Sequence, residues 1–371
     1  MSDDESVLEE LRSVVREFLD DKSPEEAVRK LMESESGFDP AVWAQAAEQL
    51  RLPALALPER YGGDGFGLVE LGVVLEETGR ALLCAPFFST VVLAAQALLA
   101  SGDEEACGRH LPGMASGATT ATLAVAEESG SWDPALISTR ALPDGNGDWK
   151  LTGRKCFVLD GTTADLLLVV ARTTAGPTLF VVDRQADGLT ATAMETLDST
   201  RAMARLTLDA VPARRVGSDG AGGRVMAKVL DVASTALAAE QAGGARRCLE
   251  MSTEYARTRH QFGRAIGSFQ AVKHKCADML VQVELAEASA REAARTAAEE
   301  PTEFPVAAAV AHACCSKAYM TAAMENIQVH GGIGFTWEHP AHLYFRRAKA
   351  SQLLFGGPAV YHERLLDRLG I

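Results

Sequence analysis

A cluster of arginines, glycines and one aromatic ring lies in residues 255–270, YARTRHQFGRAIGSFQ. The pattern closes one long helical segment and opens the next through a turn. Arginine offers paired N–H donors to phosphate oxygens, glycine lets backbone amides come close, and the next helix presents its positive end. The corner therefore suits an anion such as a diphosphate. The alternative is a surface helix hairpin whose arginines face solvent.

A second corner, QVHGGIGFTWEHP at residues 328–340, has three glycines within four residues after a long apolar helical segment. Such a backbone is flexible and has few side chains in the way of a ligand. It is not the dinucleotide-binding motif of a βαβ unit, because a helical segment precedes it and no strand does. A nicotinamide-binding Rossmann domain is therefore disfavoured. No metal-ligand spacing and no hydrolase G-x-S-x-G motif occurs in the sequence.

The elements that must position these corners change type twice along the chain. Residues 5–116 have a helical period, with Asp39-Pro40 as a cap-then-proline helix start. From about Thr119 the period falls to two, with a turn, PDGNGD, at 143–148. Five β-type runs follow, at 122–126, 149–152, 166–170, 179–182 and 204–208. Helical segments return near 225–257, 269–299 and 306–328, and after Pro340 and Pro358.

Helices, then strands, then helices predict an α+β protein in three segments. We predict an N-terminal helical domain over 1–117, a central antiparallel β-barrel or sandwich over 118–222, and a C-terminal helical bundle over 223–371.

Composition limits the partners. The chain has 371 residues, 47% of them apolar, and no apolar run near the roughly 20 residues that span a bilayer. Its formal charge of −14 would repel nucleic acid and anionic membranes, although the basic stretch RRAK at 346–349 could contact a small anionic ligand. The N-terminus has no signal-peptide pattern, which predicts a cytoplasmic protein. The seven cysteines lack C-x-x-C spacing, so reduced, buried thiols are expected.

The two corners, in this order and about seventy residues apart, resemble the acyl-CoA dehydrogenase family. Further matches in family order are the loop at 58–67, the strand entry AEESG at 126–130 and the strand KCFVLDG at 155–161. The resemblance extends along nearly the whole chain. It implies an N-terminal helical domain, a central β-domain and a C-terminal four-helix bundle, assembled as dimers or dimers of dimers.

The same resemblance implies FAD as the cofactor, bound in an extended shape across a subunit boundary. Arg259 and Phe262 resemble residues that contact the diphosphate and adenine half of a neighbouring subunit's FAD. By the same resemblance, a second diphosphate contact comes from Gln328, Gly331 and Gly332, and flavin packing from Phe157 and Val158.

Departures from the family pattern concern the flavin and the catalytic base. Ala126 and Leu159 stand where hydroxyl side chains are usual. Most members place the catalytic glutamate in a turn near the C-terminus, which here reads LFGGP at 354–358 and puts Gly356 at that position. Other members place it on the first long C-terminal helix, where an ungapped alignment sets Ala233. Neither residue can take the proton from the carbon next to the thioester.

Three acids remain near these positions. Glu240 lies two helical turns after Ala233 in an apolar, small-residue stretch, where a carboxyl group could have the raised pKa that suits a base. Helix packing or a hydrogen bond at a subunit interface explains Glu240 equally well. Asp231 lies on a different helix face, and Glu363 is expected to be a solvated helix residue.

Three functional hypotheses follow. The chain is an FAD-dependent dehydrogenase that introduces a 2,3-double bond into an acyl-CoA thioester, with Glu240 or another acid as its base. Alternatively, it is a non-catalytic or half-catalytic subunit that completes the FAD site of a glutamate-bearing homologue. In this hypothesis the chain resembles bacterial members of the family that form α2β2 tetramers and act on acyl-CoA substrates with bulky groups such as steroid side chains. The third hypothesis is oxygen or nitro-compound chemistry on the same scaffold, to which no residue points. Electron-transfer flavoprotein is a candidate acceptor.

Overall fold

Helices make up the first part of the chain. The structure is a computed structural model that describes residues 3–145 and 148–371. A π-helical segment, Phe88–Ala94, runs directly into the fifth helix. As predicted, Asp39 caps a helix that has Pro40 at its start, because the Asp39 carboxylate accepts a hydrogen bond from the Ala41 N–H at 2.8 Å. These helices are α1 (Asp3–Lys22), α2 (Glu25–Met32), α3 (Pro40–Glu48), α4 (Leu68–Arg80), α5 (Ala95–Ser101) and α6 (Glu104–Ala115).

A seven-stranded sheet forms the middle of the chain. Each of the five predicted β-type runs overlaps one of its strands, while two short strands were not predicted. The strands are β1 (Ala121–Ala124), β2 (Arg140–Pro143), β3 (Trp149–Leu159), β4 (Leu166–Thr173), β5 (Gly176–Asp183), β6 (Leu189–Ala193) and β7 (Met203–Val216).

The strand pairings close into a ring. β4 pairs with β5, β5 with β7, β7 with β3 and β3 with β2, and the single pair Arg140–Arg172 joins β2 back to β4. The ring encloses an apolar core that includes Leu167, Phe180 and Leu206. This arrangement confirms a β-rich middle, with one correction to the antiparallel prediction. β1 runs parallel to β4, and so does β2 at its single pair with that strand.

The predicted turn at 143–148 joins β2 and β3, which pair antiparallel from Pro143 and Trp149 onward. Two residues of that turn, Asn146 and Gly147, lie outside the described residues.

Long helices return after the sheet. They are α7 (Gly222–Thr258), α8 (Gln270–Glu299), α9 (Phe304–His330), α10 (Ala341–Leu353) and α11 (Pro358–Leu369), and a two-stranded hairpin of β8 (His260–Gln261) and β9 (Arg264–Ala265) follows α7. The small residues of α7 let its backbone touch α4. A Cβ at Gly243 would lie 1.8 Å from the Glu76 carbonyl oxygen, and a Cβ at Gly79 would lie 2.0 Å from that of Glu240. Only glycine fits these two positions.

By internal contacts the chain forms two compact units. One takes the chain up to Arg29 together with Leu68–Leu83 and Ser234–Ile371, and so holds α1, α4 and the C-terminal helices. The other takes Lys30–Gly67 and Cys84–Ala233, and so holds the sheet with α3, α5 and α6.

Candidate functional site

The first corner is a tight hairpin that presents Phe262 to solvent. Phe262 and Gly263 connect β8 to β9 with φ values of 53° and 77°, the two positive angles of a type I′ turn. The ring of Phe262 is 90% exposed and meets Phe269 edge-on at a centroid distance of 6.0 Å. A large apolar ring held out in this way is available to a ligand or to another chain.

Arg259 lies at the base of this hairpin with a fixed backbone and a free side chain. Its N–H donates to the Tyr255 carbonyl and its own carbonyl accepts from the Ile266 N–H, each at 2.8 Å. Its exposed guanidinium makes no ion pair within residues 3–145 and 148–371. Arg264, by contrast, lies over the Phe269 ring, 4.1 Å from its centroid. Among the described residues, Arg259 is thus a positioned cation without an ion-pair partner.

The second corner ends α9 with open backbone. Gly331 has φ 62° and its N–H donates to the carbonyls of Gln328 and Ile327, which closes the helix. A Cβ built on Gly331 or on Gly332 would meet nothing within 4 Å. The Gln328 side chain is exposed beside them. Space for a ligand therefore lies directly over this backbone.

Contacts between α7 and α9 bring the two corners to the same end of the helices. The Tyr255 ring, one turn before Arg259, lies 4.4 Å from the ring of His330, which immediately precedes Gly331. Three residues earlier on α7, the Ser252 hydroxyl donates to the Asn326 side-chain oxygen at 2.9 Å. An unpaired guanidinium and an open glycine backbone on adjacent helix ends fit the diphosphate of a dinucleotide cofactor.

The predicted flavin contacts from the sheet lie in an irregular stretch of β3. Its register against β7 shifts between Lys155 and Val158, and Phe157, inside this bulge, has φ 56°. The Phe157 side chain is half-buried, and its N–H donates to the Met194 sulfur at 3.3 Å. The Val158 side chain points into the apolar core of the sheet, so only its backbone is free to meet a flavin. Both contacts remain predictions.

Beside this bulge, Glu127 is the centre of a hydrogen-bond network. Its carboxylate accepts from the N–H and hydroxyl groups of Ser138 and Thr139. It also pairs with the fully buried Lys155 ammonium at 3.0 Å. Burial alone would raise the pKa of Glu127, but the bonds from Ser138 and Thr139 and the Lys155 charge outweigh it and hold the pKa at about 2. Glu127 is thus an ionised anchor for the strand entry at 126–130.

Both family positions for the base lack a proton acceptor. Gly356 has φ 113°, and a Cβ there would approach the Val360 side chain to 3.0 Å. Phe355 before it is fully buried and has φ 65°. Ala233, the second position, is fully buried in α7.

A polar contact ties the helix after this turn to α7. The hydroxyls of Ser234, next to Ala233, and Tyr361, five residues after Gly356, lie 3.1 Å apart. The Tyr361 ring stacks on His312 of α9 with a centroid distance of 3.5 Å.

Glu240, the predicted base, lies inside the helical bundle. Its carboxylate oxygen is 3.1 Å from the Arg347 Nη1, and both side chains are buried. Asp231 is also buried, and Glu363 is exposed as predicted. The role of Glu240 as a base remains a prediction, and the structure adds a partner that sequence reasoning missed.

The basic stretch at 346–349 requires a correction. Arg347 points inward to Glu240, and Arg346 lies over the Trp337 ring at 4.6 Å, so these two guanidiniums are not jointly free for an anionic ligand. Helical spacing is the sequence signal that could have predicted the burial of Arg347. One face of α10 carries four buried residues, Tyr344, Arg347, Ala348 and Ser351.

Two further classes of site find no support in the part of the chain that the structure describes. No group of three or more His, Cys, Asp or Glu side chains there is placed to hold a metal ion. None of the described helices combines the length and the apolar character needed to cross a membrane.

Helical, β-rich and helical segments in this order, with a glycine-containing corner after each of two long helices, agree with the flavoprotein oxidoreductase scaffold that the resemblance implies. The comparisons agree along the chain. Residues 6–118 match the acyl-CoA dehydrogenase N-terminal domain, residues 122–211 its middle domain and residues 220–370 its C-terminal domain.

Individual relatives match over nearly their whole length. The chain is 36% identical to acyl-CoA dehydrogenase IpdE2 of Mycolicibacterium smegmatis over 96% of each chain. Among solved structures, a variant of the Tcur3481-Tcur3483 steroid ACAD is similar at 37% identity and TM-score 0.89, covering 98% of each chain. The ChsE4-ChsE5 complex from Mycobacterium tuberculosis is similar at 32% identity and TM-score 0.89, covering 100% of this chain and 98% of that one.

The chain belongs to the acyl-CoA dehydrogenase family. Membership confirms the predicted three-part architecture, the acyl-CoA dehydrogenase class of oxidoreductase and FAD as the cofactor. When bound, FAD supplies the hydride-accepting chemistry; the contact of its diphosphate with Arg259 and the Gly331-Gly332 backbone remains a prediction.

Proposed function

We propose that this chain is the glutamate-lacking subunit of a two-chain acyl-CoA dehydrogenase, whose homologous partner supplies the catalytic base. The observation that carries the proposal is the backbone at Gly356, where φ is 113°. Glycine adopts this conformation freely, whereas a glutamate there would be strained and would crowd Val360. The turn therefore favours glycine over glutamate at this position.

The other two candidate positions for the base also support a partner that supplies it. Ala233 has no titratable group, and the Glu240 carboxylate forms an ion pair with Arg347. To take a proton from a substrate, the Glu240 carboxylate would have to give up its contact with the buried Arg347 guanidinium, which costs free energy. A partner glutamate avoids that cost.

In the proposed assembly this chain's main contribution is cofactor binding. Arg259 would donate to the diphosphate of an FAD shared with the partner, the Gly331-Gly332 backbone would give that group room to approach, and Phe262 would pack on the adenine side. These contacts bind and orient the cofactor. The proton transfer would take place on the partner's glutamate.

For the substrate we propose an acyl-CoA with a bulky, steroid-type acyl group. Support comes from the similarity to the Tcur3481-Tcur3483 steroid ACAD, at 37% identity over 98% of the chain. That protein and the ChsE4-ChsE5 complex each carry the names of two chains, which supports a hetero-oligomer for this chain as well. We further propose a cytoplasmic assembly that passes electrons to electron-transfer flavoprotein or a similar acceptor.

The test is co-expression of this chain with a glutamate-bearing homologue. Flavin content and flavin bleaching by steroid-type and straight-chain acyl-CoA are measured for the lone chain, the pair, and the pair whose partner glutamate is changed to glutamine. We expect rapid bleaching for the intact pair only. Rapid bleaching by the lone chain that disappears in Glu240→Gln would contradict the proposal and make Glu240 the base.

A further inference from the structure

The C-terminal helix α11 is attached through very little buried surface. Tyr361 is its single buried side chain among the described residues. Among its other apolar residues, Val360, Leu366 and Leu369 are each at least 40% exposed, and Leu365 is half-buried. Because apolar burial supplies most of the free energy of helix packing, the docking of α11 depends chiefly on the site that receives Tyr361.

The site that receives Tyr361 is unusual because the tyrosine ring packs on a histidine. Tyr361 stacks on His312 with an interplanar angle of 22°, and its hydroxyl meets Ser234 of α7. His312 is 1% exposed, and neither of its ring nitrogens has a hydrogen-bond partner in the described chain. An imidazole in this position already forgoes its hydrogen bonds, and an imidazolium would in addition be a buried charge without a partner.

The groups around His312 disfavour its charged form. Burial is the main cause that lowers its pKa to about 3, and Arg364 of α11 adds to the effect. Tyr361 is the titratable group stacked on it, and α7 contributes the neutral Ser234 to the contact. No carboxylate among the described residues is placed to compensate a proton on His312.

We propose that α11 is a detachable helix whose docking requires neutral His312, so that acidification releases α11 together with the turn that carries Gly356. Pro358 begins α11 directly after that turn, and Gly356 packs against Val360 in its first helical turn. The inference rests on the packing of α11 alone and does not depend on the proposed division of labour between subunits.

The expected size follows from proton linkage. His312 has a pKa near 6.5 when exposed and about 3 when α11 covers it. Docking of α11 lowers the pKa of His312. Docking therefore has its full strength above pH 6.5, where His312 is neutral in both states, and weakens as the pH falls toward 3. Over that whole window the docking equilibrium changes by roughly three orders of magnitude, of which about thirtyfold falls between pH 7.5 and pH 5.0.

The experiment is amide hydrogen exchange of the full-length protein in its oligomeric form between pH 7.5 and 5.0, corrected for the intrinsic pH dependence of exchange. We expect the protection of residues 358–370 to fall about thirtyfold. The amides of α8, residues 270–299, should stay protected and so exclude general unfolding.

Variants at two positions separate the effect of the proton from that of the packing. His312→Phe keeps a ring under Tyr361 but cannot titrate, so α11 should stay protected at every pH; His312→Leu serves the same purpose if the phenylalanine does not fit. Tyr361→Phe keeps the stack and loses the Ser234 bond, so protection should fall at all pH values while its pH dependence persists. Unchanged pH dependence in the His312 variants, constant protection of wild-type α11, or joint loss of α8 and α11 would each overturn the proposal.

Discussion

Glu240 of α7 and Arg347 of α10 form a buried ion pair, with 3.1 Å between Oε1 and Nη1 and side chains that are 6% and 3% exposed. The two residues are 107 positions apart in the sequence, and their contact joins two helices of the C-terminal bundle. A carboxylate in this position compensates the charge of a buried arginine.

The first prediction concerns this pair. Glu240→Met removes the carboxylate that pairs with the buried Arg347 guanidinium, so the free energy of unfolding should fall by about 3–5 kcal/mol. The double variant Glu240→Met/Arg347→Met removes both charges and should lose much less than the two single variants together. Urea unfolding measures all four proteins. Additive losses would mean that the pair is not coupled and that Glu240 is free for another role.

The second prediction concerns the cofactor corner. Arg259→Ala removes a charge-assisted contact worth about 1.5–3 kcal/mol, so FAD affinity of the assembled oligomer should fall roughly ten- to a hundredfold. Arg257→Ala, two residues earlier on α7, is the matched control and should have little effect. Equilibrium flavin fluorescence measures both. Equal losses would show that general positive charge, and not the position of Arg259, holds the cofactor.

The sequence predicted what short stretches encode by themselves. Phe262-Gly263 predicts a turn because glycine permits a positive φ, and Gly331-Gly332 predicts open backbone for the same reason. Helix and strand periods also predicted the change from α to β near Thr119 and back after Gly223. The domain limits at 117 and 222 stay predictions.

Contacts between distant residues could not be predicted from local pattern. Arg347 looked like part of a basic surface stretch because its partner, Glu240, lies on another helix. The contact of Tyr255 with His330, which aligns the two cofactor corners, likewise joins α7 to α9. β2 and β6 are short and mostly exposed, so no apolar alternation distinguished them from loops.

The third prediction concerns the empty base position. Gly356→Glu restores the family's carboxylate but forces a non-glycine residue into φ 113° against Val360. We expect a loss of stability on the order of 1–3 kcal/mol and no gain in flavin bleaching by acyl-CoA. Gly356→Ala carries the same backbone strain without the carboxyl group and should be destabilised to a similar extent. Substantial bleaching by Gly356→Glu alone would show that the turn had merely lost its base.

The last prediction concerns acid stability and the Glu127 network. The pKa of Glu127 is about 2 in the folded chain and 4.5 as an unperturbed group, so the folded state binds fewer protons than the unfolded state between these values. Its ionisation therefore stabilises the fold fully above about pH 4.5, and this contribution is lost as pH falls toward 2. Glu127→Gln should accordingly be much less stable than the wild type at pH 6, and the difference should shrink by pH 3. Glu128→Gln, next in sequence and paired with the exposed Arg154, is the control and should show no such pH-dependent difference. Urea unfolding at several pH values decides the matter: a stability difference for Glu127→Gln that is constant from pH 6 to pH 3 would mean that the carboxylate is not held ionised by Lys155, Ser138 and Thr139.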